Sequence, residues 1–377
     1  MLQGGNMDEP KTRNVWKIVA IICIFLLLAM PIAMAVLYVK LTMDKVEHVE
    51  LNRQELGINS ELPSETIEKM DSYTNIAIFG LDNRASGQLG GGNSDVIMIA
   101  SIHDETKDVK LISVYRDTYL NIGDEYGGLT KCNAAYARGG VQAAVAMLNR
   151  NLDLNLTEFL AVDWNAVSET VDLLGGVEIE ITESEVPHIN MYIDEINKCL
   201  GTDASHITQA GKQNLGGVQA TAYCRIRYTE GSDFRRASRQ RIMLETILEK
   251  AKKTDFVTLA KIIDRVVDDI STSLEVSEML AIAKDIASYD IAATTGFPFR
   301  LSTKMMHCGA TVIPLGLEEN VTELHKFMFA NESYPPSSVV HEISEKIILD
   351  SGLNKDSPTD YDMSKFNDTV GKDGAFQ

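Results

Sequence analysis

Cysteine is scarce in this chain, five in 377 residues, and no two cysteines stand at a spacing that holds a metal. Excess positive charge is missing as well: 35 Lys and Arg face 54 Asp and Glu, a net charge of −19. General nucleic-acid binding is thereby excluded, because its electrostatic attraction needs a basic surface. No helix-turn-helix pattern supports a DNA-reading role either. The Gly-rich stretch Gly87 to Gly92 matches neither GxxxxGK[ST] nor GxGxxG, so it is not a nucleotide fingerprint. No Pro/Ser-rich linker interrupts residues 73–350, which argues for one α/β domain there rather than several.

Charge is absent altogether from Ile18 to Val39, where nearly every residue is apolar. At ~1.5 Å per residue the run is long enough to cross a bilayer core of ~30 Å. Ala33-Met34-Ala35 imitates a signal-peptide cleavage site, but the apolar run continues past it to Val39, which favours an uncleaved anchor. Lys11, Arg13 and Lys17 before the span are matched by Lys40, Lys45 and Arg53 after it, so charge leaves the orientation open. The short tail at 1–17 makes a type II arrangement the economical one, with the large domain outside the cytoplasm. Beyond residue 39, 32 basic and 52 acidic residues remain, a net charge of −20. Residues 40–72 read as a juxtamembrane stalk and 351–377 as a disordered polar tail. The exported part carries Cys132, Cys199, Cys224 and Cys308; a Cys199–Cys308 disulfide and four free thiols both fit that even number.

Against this acidic background, six of the fourteen arginines fall between Arg225 and Arg241. Ala220 to Arg227 reads as a strand, which puts Arg225 and Arg227 on one face. The helix expected over Asp233 to Lys253 puts Arg236 and Gln240 on one face, with Asp233 suited to cap it. Guanidinium groups converging from two elements describe a phosphate or pyrophosphate pocket, since their forked donors match phosphate oxygens. A solvated basic helix is the plainer alternative, and it leaves Arg225 and Arg227 unexplained.

Further strands are expected at Asn75 to Leu81, Val96 to Ile102, Val109 to Val114, Phe159 to Asp163 and Val177 to Ile181, and helices at Asn133 to Leu152 and Asn165 to Leu174. Asp82 and Asp95 flank the Gly-rich loop. If their strands are neighbours, the two carboxylates offer oxygen ligands of the kind Mg²⁺ prefers. Arg116, followed by Asp117, sits at a strand end, where α/β sheets place their sites. Surface turns, and an ion pair between Arg116 and Asp117, would account for these residues taken singly.

At these positions the chain closely resembles the LytR-CpsA-Psr family. The matching blocks are Gly80-Leu-Asp-Asn-Arg84, Ser94-Asp95, Ser113-Val-Tyr-Arg-Asp117, Lys131-Cys-Asn-Ala-Ala-Tyr136, Val171 to Val177, Gly211 to Ala220, Arg225-Ile-Arg227 and Asp233 to Gln240. Cys132, Thr221 and Cys224 depart from the pattern. The resemblance implies a single mixed-sheet α/β domain flanked by helices and anchored in a Gram-positive-type membrane. It also implies a phosphotransferase that moves a glycopolymer (teichoic acid, capsular or other wall polysaccharide) from a polyprenyl pyrophosphate carrier to peptidoglycan. In that chemistry Mg²⁺ on Asp82 and Asp95 would offset phosphate charge together with Arg84, Arg116, Arg225, Arg227 and Arg236. Lys131 would add a point charge and Gln240 a hydrogen bond, while Asp117 and Asp233 are the candidate bases. The Ala- and Val-rich segment Ala134 to Leu148 is a candidate wall for the lipid tail. A pyrophosphate hydrolase and a non-catalytic polyprenyl-phosphate-binding envelope scaffold or regulator remain as alternatives.

Overall fold

The structure is a computed structural model that describes residues 45–81 and 92–363. The tail, the apolar span, Asp82 and Arg84 lie outside the described residues. Among those described, no helix is long and apolar enough to cross a membrane.

A seven-stranded mixed sheet organises the molecule. Its strands are β1 (Glu47–His48), β2 (Tyr73–Leu81), β3 (Ser94–His103), β4 (Asp108–Val114), β7 (Glu158–Asp163), β10 (Ile270–Thr272) and β11 (Asp290–Phe297), in the order β1-β10-β7-β2-β3-β4-β11. Three two-stranded ribbons accompany it: β5 (Tyr119–Asn121) with β6 (Leu129–Lys131), β8 (Val177–Ile181) with β9 (Gly211–Leu215), and β12 (Leu301–Met306) with β13 (Gly309–Pro314). β2 is antiparallel to β3 and parallel to β7, and β3 is antiparallel to β4. The start of β3 therefore lies at the same sheet end as the ends of β2, β4 and β7.

Period-two alternation divides the sheet side chains between two layers. Ala77, Phe79, Ile97, Ile99 and Phe159 pack on one side against the helices Ala134–Leu152, Leu317–Phe329 and Ser338–Ser351. Ile78, Ala100 and Leu111 face the other side, where Leu244 and Leu248 of the helix Ser232–Ala251 cover them. The helix Ala134–Leu152 thus belongs to the main core, its apolar residues Ala143 to Leu148 all buried, and none of its residues lines the apolar cleft described below.

Three expected segments differ. Gly217–Arg225 is a helix, not part of a strand, and Arg227 lies beyond its end. Ala220, Thr221, Ala222, Tyr223 and Cys224 are all buried, and a helix buried on every side shows no 3.6-residue alternation to distinguish it from a strand. Gln219 Oε1 accepts from the Gly216 N–H at its start, and Asp172 accepts from the Gly217 N–H at 2.7 Å. Glycine is required at 217, because a Cβ there would lie 2.2 Å from the Ser168 carbonyl oxygen. Residues 45–72 are not a detached stalk: β1 pairs with β10, and Leu56, Leu62 and Met70 join the main core. At the other end, Asp360 accepts from Ser302 Oγ and from the Thr303 N–H, Tyr361 packs on Phe234 and Met363 is buried, so residues to 363 are ordered by contacts. Cys199 and Cys308 are free thiols, as are Cys132 and Cys224. Cys199 is exposed in the last turn of the helix Val186–Leu200, whereas Cys308 packs against the main core.

Candidate active site

The sheet end defined by β3, β4 and β7 gathers charge. Arg116 follows β4 and donates from Nε to Asp233 Oδ2 at 2.9 Å and from an Nη to Asp95 Oδ1 at 2.5 Å. Arg227 approaches the same two carboxylates, 3.5 Å from Asp95 Oδ2 and 3.5 Å from Asp233 Oδ1. Arg236, one turn on from Asp233, lies 3.1 Å from its Oδ2 and donates to the Asp95 carbonyl oxygen. Asp117 joins the edge of this group, 3.8 Å from Arg116 Nε and 3.0 Å from Lys131 Nζ. Three guanidiniums, one ammonium and three carboxylates therefore occupy one place. They arrive there from β3, the end of β4, β6, the connection after the helix Gly217–Arg225 and the start of Ser232–Ala251.

Electrostatics assign different parts to the carboxylates. Burial pushes the Asp233 carboxyl up, but Arg236, Arg116 and Arg227 outweigh it and hold it below the ordinary carboxylate range. Asp233 is thereby a poor proton acceptor and a good holder of arginines. It is not the cap of its helix either: Gly231 occupies that place at φ 85° and Asp233 stands in the first turn, where a carboxylate favours the helix dipole. Burial likewise pulls Arg236 down to about 10, with the Asp233 charge opposing it.

Two of the sequence's clustered arginines serve the fold instead. Arg239 is 2% exposed; it donates to Glu185 at 2.8 Å, to the Ile226 carbonyl at 3.0 Å and to Thr229 at 2.7 Å, fixing the segment that carries Arg227. Arg241 is also buried. Arg225 ends the helix Gly217–Arg225, contacts Glu195 at 3.1 Å and stacks over the Tyr192 ring.

Mg²⁺ is commonly held by one or two carboxylates together with substrate phosphates. Asp95 suits that donor set, an oxygen ligand facing the arginine cluster, with Asp82 outside the described residues. Among the described residues, no group of three or more His, Cys, Asp and Glu is arranged to hold a metal. Phosphate oxygens would have to complete the shell.

An apolar cleft adjoins the charges. Ile78, Val96 and Met98 of the sheet form its floor, and Val167, Met243 and Leu244 form its walls. Val96 and Gln240 line both this cleft and the pocket that holds Asp95, Arg116, Asp233 and Arg236, so the two spaces meet there. Gln240 Nε2 also donates to the Cys224 carbonyl at 3.4 Å.

Asp163, at the end of β7, borders the cleft and went unnoticed as a site residue, although its strand-end position is the signal used for Arg116. Its Oδ1 accepts the Ala166 N–H at 3.0 Å, whereas Oδ2 is buried without a donor. Burial, opposed by that N–H and reinforced by nearby Asp269, pushes its carboxyl up to about 6. A proton held on Asp163 accounts for the otherwise orphaned oxygen. The folded protein holds this proton more tightly than the unfolded chain does. The resulting stability is complete below about pH 4, near the ordinary Asp value, and is lost as pH rises through about 6. Asp163→Asn keeps the helix cap and removes the titration. Between pH 4 and 7 the melting temperature of the wild type should therefore fall relative to that of the variant; parallel curves would contradict a proton bound at Asp163.

A family model described as the LytR_cpsA_psr family matches residues 36–312. The polyisoprenyl-teichoic acid–peptidoglycan teichoic acid transferase TagU of Enterococcus faecalis is 28% identical over 284 residues, covering 74% of this chain and 85% of the relative. TagT of Bacillus subtilis, a transferase of the same description, is 28% identical over 272 residues, 71% of this chain and 79% of its own length. Among solved structures, TagT bound to LI-WTA superposes with a TM-score of 0.54 at 19% identity, covering 81% of this chain and 100% of that one. An Enterococcus faecalis structure described as a transcriptional regulator gives a TM-score of 0.58 at 20% identity, over 76% and 98%. These superpositions speak to the fold, a mixed-sheet α/β domain.

Proposed function

The chain belongs to the LytR-CpsA-Psr family, and from that premise we propose that it transfers a glycopolymer from a polyprenyl pyrophosphate carrier to peptidoglycan. The observation that carries this reading is the junction at Val96 and Gln240 between an apolar cleft and the Arg116, Arg227 and Arg236 cluster. A ligand that fills both must be apolar at one end and multiply anionic at the other. A polyprenyl pyrophosphate has that form.

In this reading the guanidiniums exchange part of their carboxylate contacts for phosphate oxygens. A hydroxyl oxygen of the acceptor glycan attacks the phosphorus that bears the glycopolymer and forms a new P–O bond. The P–O bond to the bridging oxygen breaks, and polyprenyl phosphate departs with the electron pair. Arg116, Arg227 and Arg236 stabilise the charge that builds on the leaving phosphate, the kind of preorganised stabilisation that dominates such transfers. Asp117 takes the hydroxyl proton. It is the better base of the two candidates, because Asp233 is committed to three guanidiniums. Arg84 and Lys131 complete the phosphate contacts, Arg225 joins them on release from Glu195, and Gln240 donates to a phosphate oxygen. Mg²⁺ held by Asp82 and Asp95 would supply Lewis-acid polarisation of the phosphoryl oxygens.

Donor binding is directly measurable. Trp164 borders the cleft and is one of two tryptophans in the chain, so a short-chain polyprenyl pyrophosphate should change its fluorescence. Arg227→Ala should weaken that binding by about 1.5–3 kcal/mol, the worth of a hydrogen bond to a charged group, or ~10- to 150-fold. Lysine at 227 should restore little, because a point charge does not reproduce the guanidinium fork. Unchanged affinity in Arg227→Ala would remove this residue from the pocket.

The domain would act outside the cytoplasm, retained by the apolar span 18–39. Protease added to intact, wall-stripped cells should degrade the chain beyond about residue 45 and leave the span in the membrane, as its length requires. Release of a soluble form beginning at Val36 would contradict retention.

A further inference from the structure

An open groove of about 440 Å³ lies between the β5–β6 ribbon and the end of the helix Ser338–Ser351, and takes no part in the donor site just described. Tyr119, Asn121, His307, Lys346, Leu349 and Asp350 are among its lining residues. Its volume falls within the ~300–1,000 Å³ of small-ligand pockets.

The link to the reacting centre is a strand pair. Tyr119 of β5 stands directly opposite Lys131 of β6, so both side chains project from one face. The Tyr119 hydroxyl donates to Asp350 Oδ2 at 3.1 Å and lies 3.5 Å from His307 Nδ1. Lys131 Nζ lies 3.0 Å from Asp117 Oδ1 and 3.8 Å from the place a Cβ would take at Gly309. The turn His307 to Gly309 therefore spans the distance between the cavity and Asp117, the residue assigned as base. Burial keeps the Tyr119 phenol protonated, and its bond to Asp350 adds to that effect.

The chemistry of the lining is that of a carbohydrate subsite. Asn121, His307, Lys346 and Asp350 bring donors and acceptors to it, suited to hydroxyl and N-acetyl groups. Leu349, 80% exposed on the last turn of the helix Ser338–Ser351, offers an apolar contact for a sugar ring. Exposed Lys346, one turn before Asp350, can pair with the carboxylates that a peptidoglycan strand carries.

We propose that this cavity binds the acceptor, a peptidoglycan glycan strand, and delivers its hydroxyl past the His307–Gly309 turn to Asp117. The inference rests on the transferase reading, which supplies the acceptor. Lys346→Ala, Leu349→Ala and Asp350→Asn change side chains on the surface and should leave the melting temperature and polyprenyl pyrophosphate affinity as in the wild type. Each should raise the acceptor KM about tenfold or more, the effect of losing ~1.4 kcal/mol, at nearly unchanged kcat. A soluble tetrasaccharide fragment of peptidoglycan, titrated without any donor, should shift NMR resonances of Tyr119, His307 and Lys346. Unaltered acceptor KM in all three variants, or shifts confined to other surfaces, would overturn the proposal. Failure of the transferase reading is distinguishable: the wild type would then neither bind the polyprenyl pyrophosphate nor turn it over, and the fragment titration would still decide whether the cavity holds glycan.

Discussion

Arg116→Ala is expected to lower turnover by about 100- to 1,000-fold, the usual consequence of removing a preorganised donor from a site of developing negative charge. Its effect should exceed that of any other single arginine, because Arg116 alone touches all three carboxylates of the cluster. Removing it leaves Asp95 and Asp233 facing each other with less compensation, so the variant should also unfold at a lower temperature. Breaking a buried pair by deleting one partner costs about 3–5 kcal/mol, and the partial exposure of Arg116 places this case below that range. Arg116→Lys separates the two effects. It restores charge, and with it stability, but a single ammonium cannot reproduce contacts made from both Nε and Nη. Stability should recover while turnover stays low, as stopped-flow turnover measured beside thermal unfolding would register. A lysine variant with full activity would show that Arg116 acts only as a counter-charge.

Asp95→Asn should also cost about 100-fold or more in turnover, with a different signature. Asparagine occupies nearly the same volume but holds neither a cation nor two arginines through charge. In the proposed division of labour, Asp95 and Asp82 serve the metal and the arginines serve the phosphates. The variant should therefore lose any stimulation by Mg²⁺ while keeping donor affinity within a fewfold of the wild type. Turnover and Trp164 fluorescence titrations, each with and without Mg²⁺, would check this. Equal turnover of the wild type in the presence and absence of the metal, or a loss of donor affinity as large as that of Arg227→Ala, would contradict the assignment.

The sheet was legible in the sequence because its strands are short, nearly continuous apolar runs bounded by polar or Gly-rich segments, and the expected strands at 75–81 and 96–102 lie inside β2 and β3. Segment 220–227 was not legible, for the physical reason that burial on all sides erases periodicity. The grouping of Arg227 with Arg236 was nevertheless foreseen, by a route the structure replaces: they meet through a helix end, a short connection and a helix start, not across a strand face. Nor does sequence separate a ligand-facing arginine from a buried structural one. Arg239 and Arg236 are three positions apart, both nearly inaccessible, and differ in that one binds Glu185 and the other Asp233. The apolar cleft was hidden altogether, since its lining comes from the sheet and from three helices separated in sequence. The packing of Leu56 and Leu62 into the main core is long-range in the same sense, and their segment reads as a stalk when taken alone.

In the proposed function one centre joins a lipid-linked glycopolymer to peptidoglycan. Its most direct test is to incubate the purified protein with a polyprenyl-pyrophosphate-linked oligosaccharide and soluble peptidoglycan fragments, and to follow both products by mass spectrometry. A phosphodiester-joined oligosaccharide–peptidoglycan product and polyprenyl phosphate are expected in equal amounts, with both lost in Arg116→Ala. Polyprenyl phosphate released together with free phosphorylated oligosaccharide, and no joined product, would mean that water is the acceptor and would contradict transfer to peptidoglycan.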